Sequence, residues 1–260
     1  MCLILFSYKS HPRYKLILAS NRDEFYNRPT RQLELWDDEY SETILAGRDE
    51  QGKGTWLGVT PSCKISGITN YRSTKNIKDQ APSRGLLVSN YLNGNLPPKE
   101  YLESVKTSGH LYNGFNLIAG DLNSMYYYSN MADEIQEVKP GVYGLSNAFL
   151  DTPWPKISKG KSELGRILSD DSKPIEESLF SLLADKEYPP QSELPDTGVG
   201  PEWEKILSPL FIESDIYGTR TSTLVTIDYN AGINVVEKTF IRSGTGELRS
   251  ETLSNTLNVR

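Results

Sequence analysis

Apolar residues come in short runs along this chain, and polar clusters close them. Leu3-Ile4-Leu5-Phe6 and Leu16-Ile17-Leu18-Ala19 read as two strands joined by the turn-rich Ser10-His11-Pro12-Arg13. Residues 54–60 and 64–71 read as two more, separated by Pro61-Ser62. Residues 83–92 and 97–106 switch to a helical period. Leu86, Leu87, Val88, Tyr91 and Leu92 form an apolar stripe, Ser83 reads as an N-cap, and Pro97-Pro98 opens the second helix. Strand patterns return at 114–120, 125–129 and 142–146, and helical ones at 156–169, 174–186 and 203–211. Between the last two helices, 188–201 is rich in Pro and Gly and reads as a surface loop. Strands at 222–229 and 233–241 close the pattern around Asn230-Ala231-Gly232. Strands, a helical pair, strands, a helical group and strands predict an α+β fold. Two stacked, mostly antiparallel sheets would carry helices on their outer faces. No linker divides the pattern, so one domain is expected over 1–260.

Composition narrows the function. Hydrophobic residues make up 37% of the chain, with 15 Tyr and 4 Trp, enough for a large core. A net charge of −6 argues against a nucleic-acid partner, because phosphate binding needs clustered Lys and Arg. The nearest basic cluster, Lys156, Lys159, Lys161 and Arg166, contains Glu163 and reads as a solvated helix face. The acidic stretch from Asp37 to Glu42 lacks metal-ligand spacing and reads as an exposed loop. Gly52, Gly54 and Gly58 are no dinucleotide fingerprint, since no helix follows them. Cys2 and Cys63 make neither a disulfide framework nor a zinc site, which points to a reducing compartment. The N-terminal apolar run stops at Lys9, too short for a signal peptide, and no run is long enough to span a membrane. A cytoplasmic protein without stable membrane insertion is expected.

The chemistry concentrates on Cys2. Removal of Met1 would give one residue both a thiol nucleophile and a free α-amine. With a pKa near ~7.7–8.0, that amine is suited to act as a general base. The polar cluster Asn21-Arg22-Asp23-Glu24 follows the second apolar run, so a hairpin returns it beside Cys2. Such a nucleophile needs cations to favour the thiolate, a carboxylate to orient the amine and amide donors for an oxyanion. Those residue types recur in Thr69-Asn70-Tyr71-Arg72, Leu145-Ser146-Asn147 and Gly218-Thr219-Arg220-Thr221. Adjacent strand residues face opposite ways, so Arg22 and Asp23 both reach Cys2 only if the strand pairing is irregular.

These motifs resemble the NRDE family, also called the transport and Golgi organisation protein 2 family. The Met1-Cys2 start, Asn21-Arg22-Asp23-Glu24 and Arg28-Pro29 carry the likeness. It continues through Ala46-Gly47-Arg48-Asp49, Gly54-Thr55-Trp56-Leu57-Gly58, Ser83-Arg84-Gly85, Tyr112-Asn113-Gly114-Phe115-Asn116, Trp154-Pro155-Lys156 and Tyr217-Gly218-Thr219-Arg220. The resemblance implies a four-layer αββα sandwich like that of N-terminal nucleophile hydrolases. It matches Cys2 to the nucleophile and Arg22 and Asp23 to an early Arg and Asp. It matches Asn70 and Asn147 to asparagines near the oxyanion, and Arg220 to a late arginine near the nucleophile. Asn21, Glu24, Tyr71 and Trp56 are the accompanying substrate-binding candidates.

Three readings follow. The first is a hydrolase that attacks a non-peptide amide or thioester through Cys2, with no cofactor required and no metal. The second is a non-catalytic carrier of haem, an acyl-CoA or another lipid-like small molecule in the same pocket, as family links to haem trafficking and acyl-CoA handling imply. The third is a trafficking adaptor whose motifs serve only the fold. The two histidines, His11 and His110, read as solvated, so haem would rest on apolar and aromatic contacts or on Cys2 itself.

Overall fold

A computed structural model describes residues 2–36, 42–75, 77–170, 172, 174–242 and 248–257. The strands are β1 (Cys2–Tyr8), β2 (Tyr14–Phe25), β3 (Thr30–Trp36), β4 (Ile44–Asp49), β5 (Leu57–Val59), β6 (Ile65–Asn70), β7 (Phe115–Gly120), β8 (Met125–Ser129), β9 (Glu134–Glu137), β10 (Gly141–Leu145), β11 (Tyr217–Asp228), β12 (Ile233–Arg242) and β13 (Leu248–Leu257). The helices are α1 (Gly85–Asn93), α2 (Pro98–Ser108), α3 (Pro155–Leu168), α4 (Ile175–Leu183) and α5 (Pro201–Ile206). One sheet runs β10-β1-β2-β11-β12-β13 and the other β3-β4-β5-β6-β7-β8-β9. The strand pairs within each sheet are antiparallel.

Strand alternation sorts the side chains into layers. On β1 and β2, Ile4, Phe6, Tyr8, Leu16 and Leu18 point to the second sheet, where they meet Leu45, Leu57, Val59, Ile65 and Ile118. Their neighbours Leu3, Leu5, Ile17 and Ala19 point outward and are covered by Ile157 and Leu164 of α3 and Leu179 and Leu183 of α4. On the far side, Leu87, Val88, Tyr91 and Leu92 of α1 and Leu102 and Val105 of α2 cover Ile44, Leu117 and Ala119. The result is the expected αββα sandwich. Each fully buried Leu or Ile contributes about 1.5–3 kcal/mol, so both helical layers are held by apolar burial.

The structure corrects several local expectations. Ser83 does not cap α1 with its side chain; Arg84 occupies the cap position. The helix expected over 203–211 spans only Pro201–Ile206, and the chain beyond it runs as buried non-helical backbone through Leu210 and Phe211. Strands β3, β4, β9 and β13 were not expected. Of the acidic stretch, 37–41 lie outside the described residues, while Glu42 is half-buried and pairs with Lys64 at 3.2 Å. Lys159, Lys161 and Arg166 are partnered by carboxylates on the surface, as a solvated face requires. Lys156, however, is buried. His11 is buried too, its Nδ1 accepting the backbone N–H groups of Arg13 and Tyr14. Among the described residues no helix is long and apolar enough to cross a membrane.

Candidate functional site

The hairpin of β1 and β2 sets Cys2 directly opposite Arg22. Directly opposed residues of an antiparallel pair share a face, so both point between the sheets. They line a cavity of about 370 Å³ with Asp23, Glu24, Arg28, Asp49, Trp56, Asn70 and Arg84. Cys2 is 8% exposed. Burial pushes its thiol above the ordinary value; Asp23 adds to that rise and Arg22 opposes it. An arginine-lowered thiol was the sequence expectation, so burial outweighs the cations here.

Arg22 and Asp23 both line this cavity, although β1 and β2 pair without a register shift; the irregularity lies on the other side of β2. On β11, Thr219 pairs with Asp23 and Thr221 with Arg22, leaving Arg220 as the extra residue of a β-bulge. The Asp23 carboxylate accepts a hydrogen bond from Thr219 Oγ1 at 2.8 Å, and Tyr217 Oη donates to its carbonyl at 2.8 Å. Burial pushes the Asp23 carboxyl up, against the pull of the Lys156 charge. Lys156, at the start of α3, is itself pushed down to about 8 by burial, with Asp23 pulling the other way.

Arg22 is clamped. It donates to Asp49 Oδ2 and to Thr30 Oγ1, both at 3.2 Å, and its guanidinium lies 4.3 Å from the Trp56 ring centroid. Arg28 meets the same Asp49 oxygen at 2.7 Å. Burial pushes the Asp49 carboxyl up, but hydrogen bonds from Arg28 and the Gly52 N–H, with the charges of Arg28 and Arg22, hold it below the ordinary range. The folded value is therefore lower than the unfolded one. The stabilisation is complete above the unfolded value near ~3.9 and is lost as pH falls through the folded one. Asp49→Asn is expected to cost about 1.5–3 kcal/mol at pH 7. That cost should shrink below pH ~3.9 as the wild-type carboxyl protonates. Urea unfolding of both proteins at pH 7 and pH 3 checks it; an equal cost at both would show that Asp49 acts through shape alone.

Other expected site residues lie elsewhere. Asn21 faces the helices, as alternation demands. Its Nδ2 donates to the carbonyls of Leu183 and Leu210, each at 2.8 Å, and its Oδ1 accepts from Ser222. Asn147 is buried behind the cavity and donates to the Asn70 carbonyl at 2.9 Å. Its neighbour Ser146 donates to the Cys2 carbonyl at 3.3 Å. Arg220 donates to the carbonyls of Phe25 and Arg28 at 2.9 and 3.2 Å, holding the chain that leaves β2. Tyr71 lines an adjoining cavity, while Glu24, Trp56 and Asn70 line the Cys2 cavity itself.

Arg84 is a cavity residue that sequence reasoning missed. It lies within the Ser83-Arg84-Gly85 segment, where a helix cap was the simpler reading. The signal was the glycine beside it. A Cβ on Gly54 would sit 2.2 Å from the Gly85 carbonyl carbon, so only a glycine lets the two backbones touch. That contact sets the start of α1, and Arg84 with it, over Cys2. No group of three or more His, Cys, Asp or Glu able to hold a metal occurs among the described residues.

The fold has relatives of known structure. The C2A mutant of conjugated bile acid hydrolase from Clostridium perfringens aligns with a TM-score of 0.51 at 8% identity, covering 98% of this chain and 96% of that one. An N-acylethanolamine-hydrolyzing acid amidase ortholog from Caenorhabditis elegans aligns with a TM-score of 0.50 at 10% identity, covering 86% and 92%. These likenesses establish an α+β sandwich of the N-terminal nucleophile hydrolase fold. At the sequence level, the transport and Golgi organization 2 homolog of Mus musculus is 36% identical over 277 residues, 99% of each chain. The Homo sapiens homolog is 34% identical with the same coverage. The Drosophila melanogaster protein is 30% identical over 92% of each. The family model described as Transport and Golgi organisation 2 matches residues 1–242. The chain belongs to the Transport and Golgi organisation 2 family.

Proposed function

We propose that this protein is a hydrolase that cleaves a non-peptide amide or thioester of a lipid-like small molecule, with Cys2 as its nucleophile. The observation that carries this reading is the facing of Cys2 and Arg22 across one strand pair, at the wall of a cavity that also holds Asp23 and Asn70. The fold shared with the bile acid hydrolase and the acid amidase supports it.

Removal of Met1, which lies outside the described residues, would free the Cys2 α-amine. That amine would take the thiol proton, and the thiolate would attack the substrate carbonyl carbon. Asn70 is the cavity residue suited to donate to the oxyanion. Collapse of the tetrahedral adduct would pass the proton from the α-ammonium to the departing amine or thiol. Water would then cleave the acyl-Cys2 thioester, releasing the acid and restoring the thiol. Asp23 would hold the α-ammonium near Cys2, and Arg22 would favour the thiolate.

One observation favours the carrier reading, in which the pocket holds an acyl-CoA, a haem or a similar molecule without chemistry. Burial raises the Cys2 thiol pKa, which keeps it neutral. Neither His11 nor His110 lines the Cys2 cavity, so haem bound there would meet Cys2 and Trp56 instead. The usage of two free cysteines fits a cytoplasmic setting for either reading.

Mass spectrometry separates the readings. Protein made in its own host is expected to lack Met1. Incubated with N-dodecanoylglycine or S-dodecanoyl-N-acetylcysteamine and quenched in acid, it is expected to carry one dodecanoyl group on the Cys2 peptide. Retention of Met1 on the whole population would exclude the amine-base route.

A further inference from the structure

The Cys2 cavity opens through a shared wall, Asn70, Arg84 and Asn113, onto a second cavity of about 370 Å³. The two differ in charge. The first is balanced, with Arg22, Arg28 and Arg84 against Asp23, Glu24 and Asp49. The second is lined by Arg72, Lys75, Lys78 and Arg84, and no Asp or Glu stands among its described lining residues. Of those cations, Arg72 is neutralised by Glu204. Arg84, Lys75 and Lys78 have no carboxylate partner among the described residues. Arg84 donates one bond, to the Gly114 carbonyl at 2.9 Å, and Lys78 donates to the Tyr112 carbonyl at 2.9 Å. A guanidinium presents five donors in a fixed fork, so Arg84 keeps donors in hand. The same cavity has exposed apolar walls, with Ile77 63% and Met131 47% exposed beside Tyr71 and Tyr112.

We infer that this second cavity recognises an anionic group, a carboxylate or a phosphate, on an amphipathic substrate, and that Arg84 is its principal contact. This rests on the proposed chemistry at Cys2. Arg84 stands at the junction, with Cys2 and Glu24 among its electrostatic neighbours. An anion gripped there would hold the rest of the molecule across the shared wall, with its carbonyl in the Cys2 cavity. Charge-assisted, forked pairing suits either anion. Ile77, Met131 and the two tyrosines would cover an adjoining apolar segment.

Binding to the full chain carrying Cys2→Ala tests this without turnover. The probes are N-dodecanoylglycine, dodecyl phosphate and the neutral N-dodecanoylethanolamine, titrated by calorimetry at pH 7. At least one anion is expected to bind about tenfold or more tighter than the neutral probe. Which anion binds better tells a carboxylate source from a phosphate source. Arg84→Gln should bring the preference close to parity, Arg84→Lys should keep part of it, and added salt should weaken it. Thermal melting shows whether Arg84→Gln keeps its fold. If it does not, Lys75→Gln, with no packing role, should still lower the preference by severalfold. Equal binding of neutral and anionic probes, or no measurable binding of either anion, overturns the proposal. So does a preference that survives both substitutions. Because Cys2 is absent throughout, failure here is distinct from failure to find an acyl-Cys2 adduct.

Discussion

Cys2→Ala is expected to abolish turnover of an acylated amide or thioester, by at least about a thousandfold in kcat. Melting temperature should change little, since the substitution removes one sulfur from a cavity wall. The scale follows from the role: the acyl bond of the proposed route forms on the Cys2 sulfur, which alanine lacks. Thiol labelling gives the same answer without a substrate. Both cysteines are buried, and burial raises both thiols. Cys63 is 1% exposed, in a turn between β5 and β6, with its Sγ donating to the Ala231 carbonyl at 3.5 Å. Cys2 borders an open cavity, and a freed α-ammonium would place a cation on the same residue as the thiol. In folded protein lacking Met1, iodoacetamide should therefore label Cys2 about tenfold or more faster than Cys63. Protein that retains Met1 should lose most of that difference. Slow, equal labelling of both thiols in the processed chain would remove the nucleophile and leave the carrier reading, for which binding of haemin or the acyl probes without an adduct is the expected result.

Much of this site could be read before the fold was seen. The return of the 21–24 cluster beside Cys2 needed only two apolar runs and a turn, whereas which of Arg22 and Asp23 stands opposite Cys2 is set by the hairpin register. Alternation also put Asn21 on the opposite face, where it ties β2 to the carbonyls of Leu183 and Leu210. The bulge in β11 opposite Arg22 and Asp23 lies nearly two hundred residues further along the chain, in no local pattern. Nothing near residue 22 announces that Arg220 will be the unpaired residue. Lys156 was hidden by its company, since three solvated cations follow it on the same helix. Three of the four unexpected strands fail for another reason. β3, β9 and β13 lie at sheet edges, and Glu134–Glu137 and Arg249-Ser250-Glu251 are polar and mostly exposed. Edge strands carry charge to deter pairing with other chains, which erases the apolar alternation that marks a strand.

The largest stability effect is expected at Arg72 and Glu204. Both are buried, and Arg72 Nη1 meets Glu204 Oε2 at 2.6 Å. The other Glu204 oxygen accepts from the Thr197 N–H at 2.7 Å and from its hydroxyl at 2.6 Å. The guanidinium lies 4.9 Å from the Trp154 ring centroid, and its Nη2 reaches Asn147 Oδ1 at 3.5 Å. Glu204→Gln keeps the shape and an acceptor for Thr197 but leaves the Arg72 charge buried without a counter-charge. The expected loss is about 3–5 kcal/mol. At roughly 2–4 °C per kcal/mol for a chain approaching this size, melting should fall by roughly 6–20 °C. Activity should fall with it, because Arg72 steadies Asn147, whose amide holds the Asn70 carbonyl beside the Cys2 cavity. Pairing Glu204→Leu with Arg72→Met removes both charges, and should recover a large part of the stability but not the activity. Urea unfolding of Glu204→Leu, of Arg72→Met and of the double variant measures the coupling. A Glu204→Gln protein within about 1 kcal/mol of wild type would mean that water reaches this pair and screens it. Asn147 would then depend on its own backbone bond with Arg72, from the Arg72 N–H to the Asn147 carbonyl at 2.7 Å.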